Sequence, residues 1–174
     1  MSLKSALTVA AAGALLVAGA SLAQQPAPNP LDNIPDKMPN DIPYGVPISL
    51  DHAQGAIAAA VAESKKRGWK LNVAVMDSGG NLVAFARMDG AQLGSIAISE
   101  HKARVAVKFR RETKAIEGGV QSGLNYLLTL DDVIASRGGI PLIEGGKIIG
   151  AIGCSGGTGS QDEVVCKAGA ATVK

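Results

Sequence analysis

Two stretches of this chain fold back on themselves through glycine-rich turns, and this constrains its architecture more than any other feature. In the first, LNVAVMD alternates Leu71, Val73 and Val75 against Asn72, Ala74 and Met76, SGGN turns the chain, and LVAFAR returns it. In the second, IPLI and KIIGAIG flank EGG between Ile140 and Gly153. Alternation with period two on both sides of a short Gly-rich turn predicts a β-hairpin. Each hairpin is followed by a segment with helical spacing, so the expected fold class is α+β, with an antiparallel sheet and helices packed against it. Pro141 at the start of its strand is best tolerated on a sheet edge, because proline cannot donate to the ladder.

The helices have their own signals. Ser49 can cap a helix ending at Gly68, in which Leu50, Ala53, Ile57 and Val61 form the apolar stripe and His52 sits at the solvent border of the first turn. A second helix is expected from about Ser95 to Arg111. On it Ile98, Lys102, Val105 and Phe109 share one face, and His101, Arg104, Lys108 and Arg111 share another. Lys102 therefore stands on an apolar stripe, where a lysine either carries its ammonium out to the rim or lines a pocket and meets a ligand carboxylate. The basic stripe is either a solvated face or an anion-binding surface. Gly118, Gly119 and Gly123 interrupt residues 112–139, leaving LNYLLTLDDVIA partly helical. Ser160 and Glu163 form an S-x-x-E pattern that predicts a capping box and a last helix from Gln161 to near Thr172.

Outside this body, residues 1–23 carry Lys4 ahead of an apolar run ending in Ser21-Leu22-Ala23, the pattern of a secretory signal peptide cleaved after Ala23. The expected location is therefore the periplasm or the exterior. Residues 24–47, with seven of the eight prolines, read as an extended arm whose Leu31, Ile34, Met38 and Ile42 could dock on a neighbouring subunit. Residues 48–174 suffice for one domain with one core. The chain's net charge is +2, and loss of Lys4 with the leader leaves it nearly neutral. Together with only five aromatic residues, this excludes the usual basic, base-stacking footprint of a nucleic-acid binder.

Residues 153–167, GCSGGTGSQDEVVCK, hold both cysteines. The segment lacks the lysine of a phosphate-binding loop and the spacing of a dinucleotide loop, although glycine-rich backbone before a helix can still hold an anion. Zinc is not indicated, because no C-x-x-C or H-x-x-x-H pattern occurs. Asp162 and Glu163 offer oxygen ligands to a hard cation, but a capping role explains them equally well. In an oxidising compartment Cys154 and Cys166 are a candidate disulfide, provided the helix folds back to within about 6 Å between Cα atoms. No Ser-His-Asp or Cys-His-Asn arrangement stands out.

Taken in order, LNVAVMDSGGNLVAFARMDGA, HKARVAV and GGIPLIEGGKIIGAIGCSGGTGSQDE resemble the GlcG/HbpS family of small haem-binding or haem-degrading proteins over roughly residues 48–172. The resemblance implies a profilin-like, three-layer α/β/α fold and homo-oligomers, octamers in particular. It also implies haem bound at the surface or between subunits, with some exported members sensing haem or redox state alongside a membrane histidine kinase. Lys102 and Thr113 match family positions, Thr113 falling where haem-contacting members carry a threonine. His52 is the nearest match to a haem-associated histidine. Asp77, Gly80, Arg87, Gly139, Pro141, Gly150, Gly153, Gly156 and Asp162 match positions of structural character. The implied reading is haem capture by an axial His52 or His101, with Arg104, Lys108 and Arg111 pairing with propionates. Two alternatives stand beside it. One is an enzyme acting on a small carboxylate or oxo compound, with Lys102 and Arg87 as clamps, and the other is an accessory subunit of a periplasmic dehydrogenase or sensor.

Overall fold

The computed structural model describes residue 29 and residues 32–174. The expected signal peptide, and the first part of the proline-rich arm with Leu31, lie outside the described residues. The chain divides into two units, residues 1–36 and 37–174. In the first, the Asp32 N–H donates to the Asn29 carbonyl at 2.9 Å.

The second unit contains, in order, α1 (Leu50–Arg67), β1 (Asn72–Asp77), β2 (Leu82–Arg87), α2 (Ser95–Lys108), α3 (Thr113–Gln121), a 3-10 turn (Asn125–Thr129), β3 (Gly139–Glu144), β4 (Lys147–Ser155) and α4 (Gly159–Ala170). Both expected hairpins form, and their inner strands pair with each other, giving one antiparallel sheet of order β2-β1-β4-β3. Pro141 lies on the edge strand β3, as its missing N–H requires. The architecture is the expected α+β one.

Side chains alternate across the sheet. On one face Val73, Val75, Ile152 and Cys154 pack with Ala53, Ile57 and Ala60 of α1 and Val165 and Cys166 of α4. On the other, Met76, Ile148 and Ala151 pack with Ala103, Ala106 and Val107 of α2. The sheet is thus sandwiched between α1 with α4 and α2, which makes three layers. Gly153 allows α2 to lie against β4, because a Cβ there would collide with the Ser99 carbonyl and the Ala103 backbone. Among the described residues no helix is long and apolar enough to cross a membrane.

Helix α1 is bounded as its sequence dictates. Ser49 Oγ accepts from the His52 N–H at 3.3 Å, and Gly68, at φ 70°, closes the C-terminus. Helix α2 stops short of Arg111. It ends at Lys108, and Arg110 adopts φ 53°, a left-handed conformation that a residue with a Cβ reaches at a cost of about 1–2 kcal/mol. The last helix starts earlier than its S-x-x-E pattern suggests. Thr158, not Ser160, is the N-cap, and Gln161, not Glu163, completes the capping box. Thr158 Oγ1 accepts from the Gln161 N–H, and Gln161 Oε1 accepts from the Thr158 N–H at 2.8 Å.

The compact unit reaches back to Lys37 because the second half of the arm docks on its own chain. The Gly45 N–H donates to Ile148 and the Ile148 N–H to Pro43, extending the sheet alongside β4. The Tyr44 hydroxyl is shared between the carbonyls of Val107 at 3.0 Å and Lys108 at 3.1 Å. Ile42 packs on the α2 side of the core, whereas Met38 is exposed.

Candidate functional site

Lys102 does not reach the rim. It is 1% exposed, and its Nζ donates to Asp162 Oδ2 at 2.7 Å, so the expected snorkelling lysine is instead half of a buried ion pair. The rim is out of reach because β4 packs tightly on α2 and because Gly138-Gly139 close over the ammonium. A Cβ on Gly138 would lie 3.3 Å from Lys102 Nζ, and one on Gly139 would strike the Lys102 carbonyl. Asp162 turns its other oxygen toward the glycine-rich loop and accepts from the Gly157 N–H at 3.0 Å. The anion held by that loop is therefore the chain's own carboxylate. Burial pushes the Asp162 carboxyl above its ordinary value, against the pull of Lys102.

Thr113, expected near a ligand, is also fully buried, and its Oγ1 accepts from the Gly139 N–H at 2.9 Å. Thr113 thus holds the 138–139 backbone, Lys102 is packed beneath it, and neither presents a group to a surface ligand. Glu163, freed from capping, collects Lys114 at 3.1 Å and Lys167 at 2.6 Å, with Arg137 at 3.5 Å. Lys167, followed by Lys114, holds the Glu163 carboxyl below its ordinary value. Arg137 also pairs with Glu117 at 2.7 Å and holds that carboxyl down. Neither Asp162 nor Glu163 has oxygens to spare for a cation, and among the described residues no cluster of three metal-ligating side chains occurs. Cys154 and Cys166 form a disulfide with 5.6 Å between their Cα atoms.

The basic stripe of α2 converges on one acid. Lys108 pairs with Asp132, whose other oxygen lies 3.4 Å from His101 Nε2. The hydrogen bond from Lys108, helped by the charges of Lys108 and Arg104, holds the Asp132 carboxyl below its ordinary value. Asp132 sits at φ 60° in the irregular segment before β3, and His101 Nε2 is buried without a hydrogen bond. His52 lies elsewhere, exposed, with its Nδ1 3.9 Å from Glu144.

Arg111 leaves the stripe when α2 ends, and it lines two adjoining hollows. One, of about 210 Å³, is formed by Phe109, Ile116, Tyr126, Leu130 and Val133, the last adjacent to Asp132. The other, of about 460 Å³, has Ile42, Pro141 and Ile143 as apolar wall and a rim on which Arg110, Arg111 and Lys114 outnumber one acid, Glu112. Arg110 is fixed there by stacking on Tyr44, 5.8 Å from the ring centre, by donating to the Ile42 carbonyl, and by an ion pair with Asp41 at 3.4 Å. The structure therefore brings His101, Arg104 and Lys108 together around Asp132, places Arg111 beyond them, and separates His52 from all four. Arg110, Lys114, Glu117, Asp132 and Arg137 were not singled out from the sequence. Arg110 adjoins the expected stripe, but the others carry no local pattern, because their partners lie 20 or more residues away.

Residues 48–171 match the family described as haem degrading protein HbpS-like. Protein GlcG of Escherichia coli (strain K12) is 42% identical over 108 residues, which cover 62% of this chain and 81% of GlcG. Among solved structures, HbpS superposes with a TM-score of 0.70 at 29% identity, covering 79% of this chain and 98% of HbpS. The PduOC:haem complex superposes with a TM-score of 0.67 at 27% identity, covering 74% of this chain and 96% of PduOC.

Proposed function

The chain belongs to the HbpS-like family, and from that premise we propose that it is an exported haem-binding protein that assembles with copies of itself. The observation that carries this reading is the pair of hollows joined by Arg111. They offer apolar walls from Phe109, Leu130, Pro141 and Ile143 beside a rim of Arg110, Arg111 and Lys114. Haem is a flat apolar ring with two carboxylates, and these residues fit its periphery: the walls take the ring and the guanidinium groups take the propionates. The solved haem complex of PduOC supports the ligand class.

His101 is the proposed iron donor. Its Nε2 has no hydrogen bond, and it lies beside Asp132, next to Val133 of the smaller hollow. Lys108, with Arg104, biases Asp132 toward its charged form, and because that carboxylate faces the same Nε2 it has to turn aside for His101 to meet iron. His52 is the second candidate. Bound haem would supply an iron centre for one-electron and oxygen chemistry. Export is supported by the disulfide, a bond that persists in oxidising compartments, and by the leader pattern of residues 1–23. Self-association is supported by exposed Tyr126, Leu128 and Leu130 around the 3-10 turn, and the octamer as its specific form is what the family resemblance implies.

Hemin titration of the mature chain, followed by absorption and native mass spectrometry, tests the reading. A saturable Soret band on an oligomer is expected, weakened about ten-fold by Arg111→Ala with Lys114→Ala as charge-assisted contacts are lost. A chain that gives no saturable band would overturn it. An unchanged band in both His52→Ala and His101→Ala would remove histidine ligation alone.

A further inference from the structure

A third hollow, of about 470 Å³, lies between the last turn of α1 and the outer end of edge strand β2, and none of its lining residues belongs to the haem proposal. Val61, Trp69 and Met88 contribute apolar wall, and Lys65, Lys70 and Arg87 stand around it. These three cations are not taken up by ion pairs among the described residues. Arg67, Lys102, Lys108, Lys114, Arg137 and Lys167 each have an ion-pair partner. Lys65, Lys70 and Arg87 have none among the described residues, although Asp89 lines the same hollow.

The walls are held in place. The Arg67 guanidinium covers one face of Trp69, 5.1 Å from the ring centre, and is itself paired with Glu63. Lys70 lies flat across Gly90, where a Cβ would come within 3.1 Å of its Nζ and 3.2 Å of its Cδ. Gly90, at φ 75°, thus combines a backbone turn with room for the lysine stem.

We propose that this hollow binds a small organic carboxylate with an apolar body. Arg87 offers a forked donor to the carboxylate, the two lysines add charge, and the body rests on Val61, Trp69 and Met88. Asp89 repels compact, multiply charged anions and leaves an acceptor for a donor group on the ligand. The site is independent of haem binding.

Trp69 is the only tryptophan of the chain and therefore reports on its own site. The mature chain is titrated at low salt with benzoate, acetate and inorganic phosphate, and Trp69 emission is followed, with calorimetry as a second readout. Benzoate is expected to give a saturable change, with acetate and phosphate at least about ten-fold weaker because neither has a body for the apolar wall. Arg87→Ala and Lys70→Ala should each weaken benzoate about five- to ten-fold while leaving the hemin titration as in the parent chain. No saturable response to benzoate, phosphate binding as well as benzoate, or parent-like benzoate affinity in both variants would each overturn the proposal.

Discussion

Lys102 Nζ and Asp162 Oδ2 meet at 2.7 Å in the interior, 60 residues apart in sequence and both nearly inaccessible to solvent. The pair ties α2 to the first turn of α4 across the sheet, and Asp162 passes the tie on to the loop after β4 through Gly157. Removing one member of such a pair strands an uncompensated charge. Lys102→Met or Asp162→Asn alone is therefore expected to destabilise the fold by about 3–5 kcal/mol. The combined Lys102→Met, Asp162→Asn variant should recover part of that loss. Urea denaturation of the four forms measures the coupling, and strict additivity would show that the two groups do not depend on each other.

Substituting Gly153 should be costly although the change is a single methyl group. The new Cβ meets the Ser99 carbonyl and the Ala103 backbone, so α2 must move off β4. Gly153→Ala is expected to cost about 1–3 kcal/mol by overpacking. Gly55→Ala, on the exposed side of α1 with nothing near the added atom, should be neutral or slightly stabilising. Thermal midpoints of the two variants make the comparison.

The disulfide closes a short loop between β4 and α4, with Cys154 and Cys166 twelve positions apart and both buried. Cys154→Ala with Cys166→Ala should lower stability by about 3 kcal/mol on the chain-entropy account. Alkylation and mass spectrometry of the unreduced chain should find no free thiol, and two labelled cysteines would show that the bond is not formed.

Stability should depend on pH in two opposed ways. Glu117 and Glu163 are held below their ordinary range by Arg137 and by Lys167 with Lys114, so the unfolded chain binds more protons there. Their contribution is complete above the unfolded carboxylate range and is lost as pH falls through it toward the depressed folded values. Asp162 is raised by burial, so the folded chain binds more protons in its window, and its contribution falls as pH rises from the ordinary aspartate range through the raised folded value. Denaturation midpoints across a pH series should therefore show a maximum on the acid side of neutrality. Asp162→Asn should flatten the high-pH limb, and Glu117→Gln with Glu163→Gln should flatten the low-pH limb.

Sequence alone determined the elements whose physics is local. Both hairpins follow from period-two alternation around glycine turns, α1 from its stripe between Ser49 and Gly68, and the edge position of β3 from Pro141. Capping was legible only to within two residues, because Thr158 and Ser160 are both competent caps and the choice rests on which one meets Gln161. Tertiary structure decided what the chemical groups do. It made Lys102 an internal partner of Asp162, gave Glu163 to three cations, and turned Arg111 off its helix into the hollows. It also supplied Asp132 to the basic stripe from a segment with no pattern of its own. The reason is physical: a helix stripe records which side of a residue is buried, whereas an ion pair depends on which distant residue the fold brings within a few ångströms.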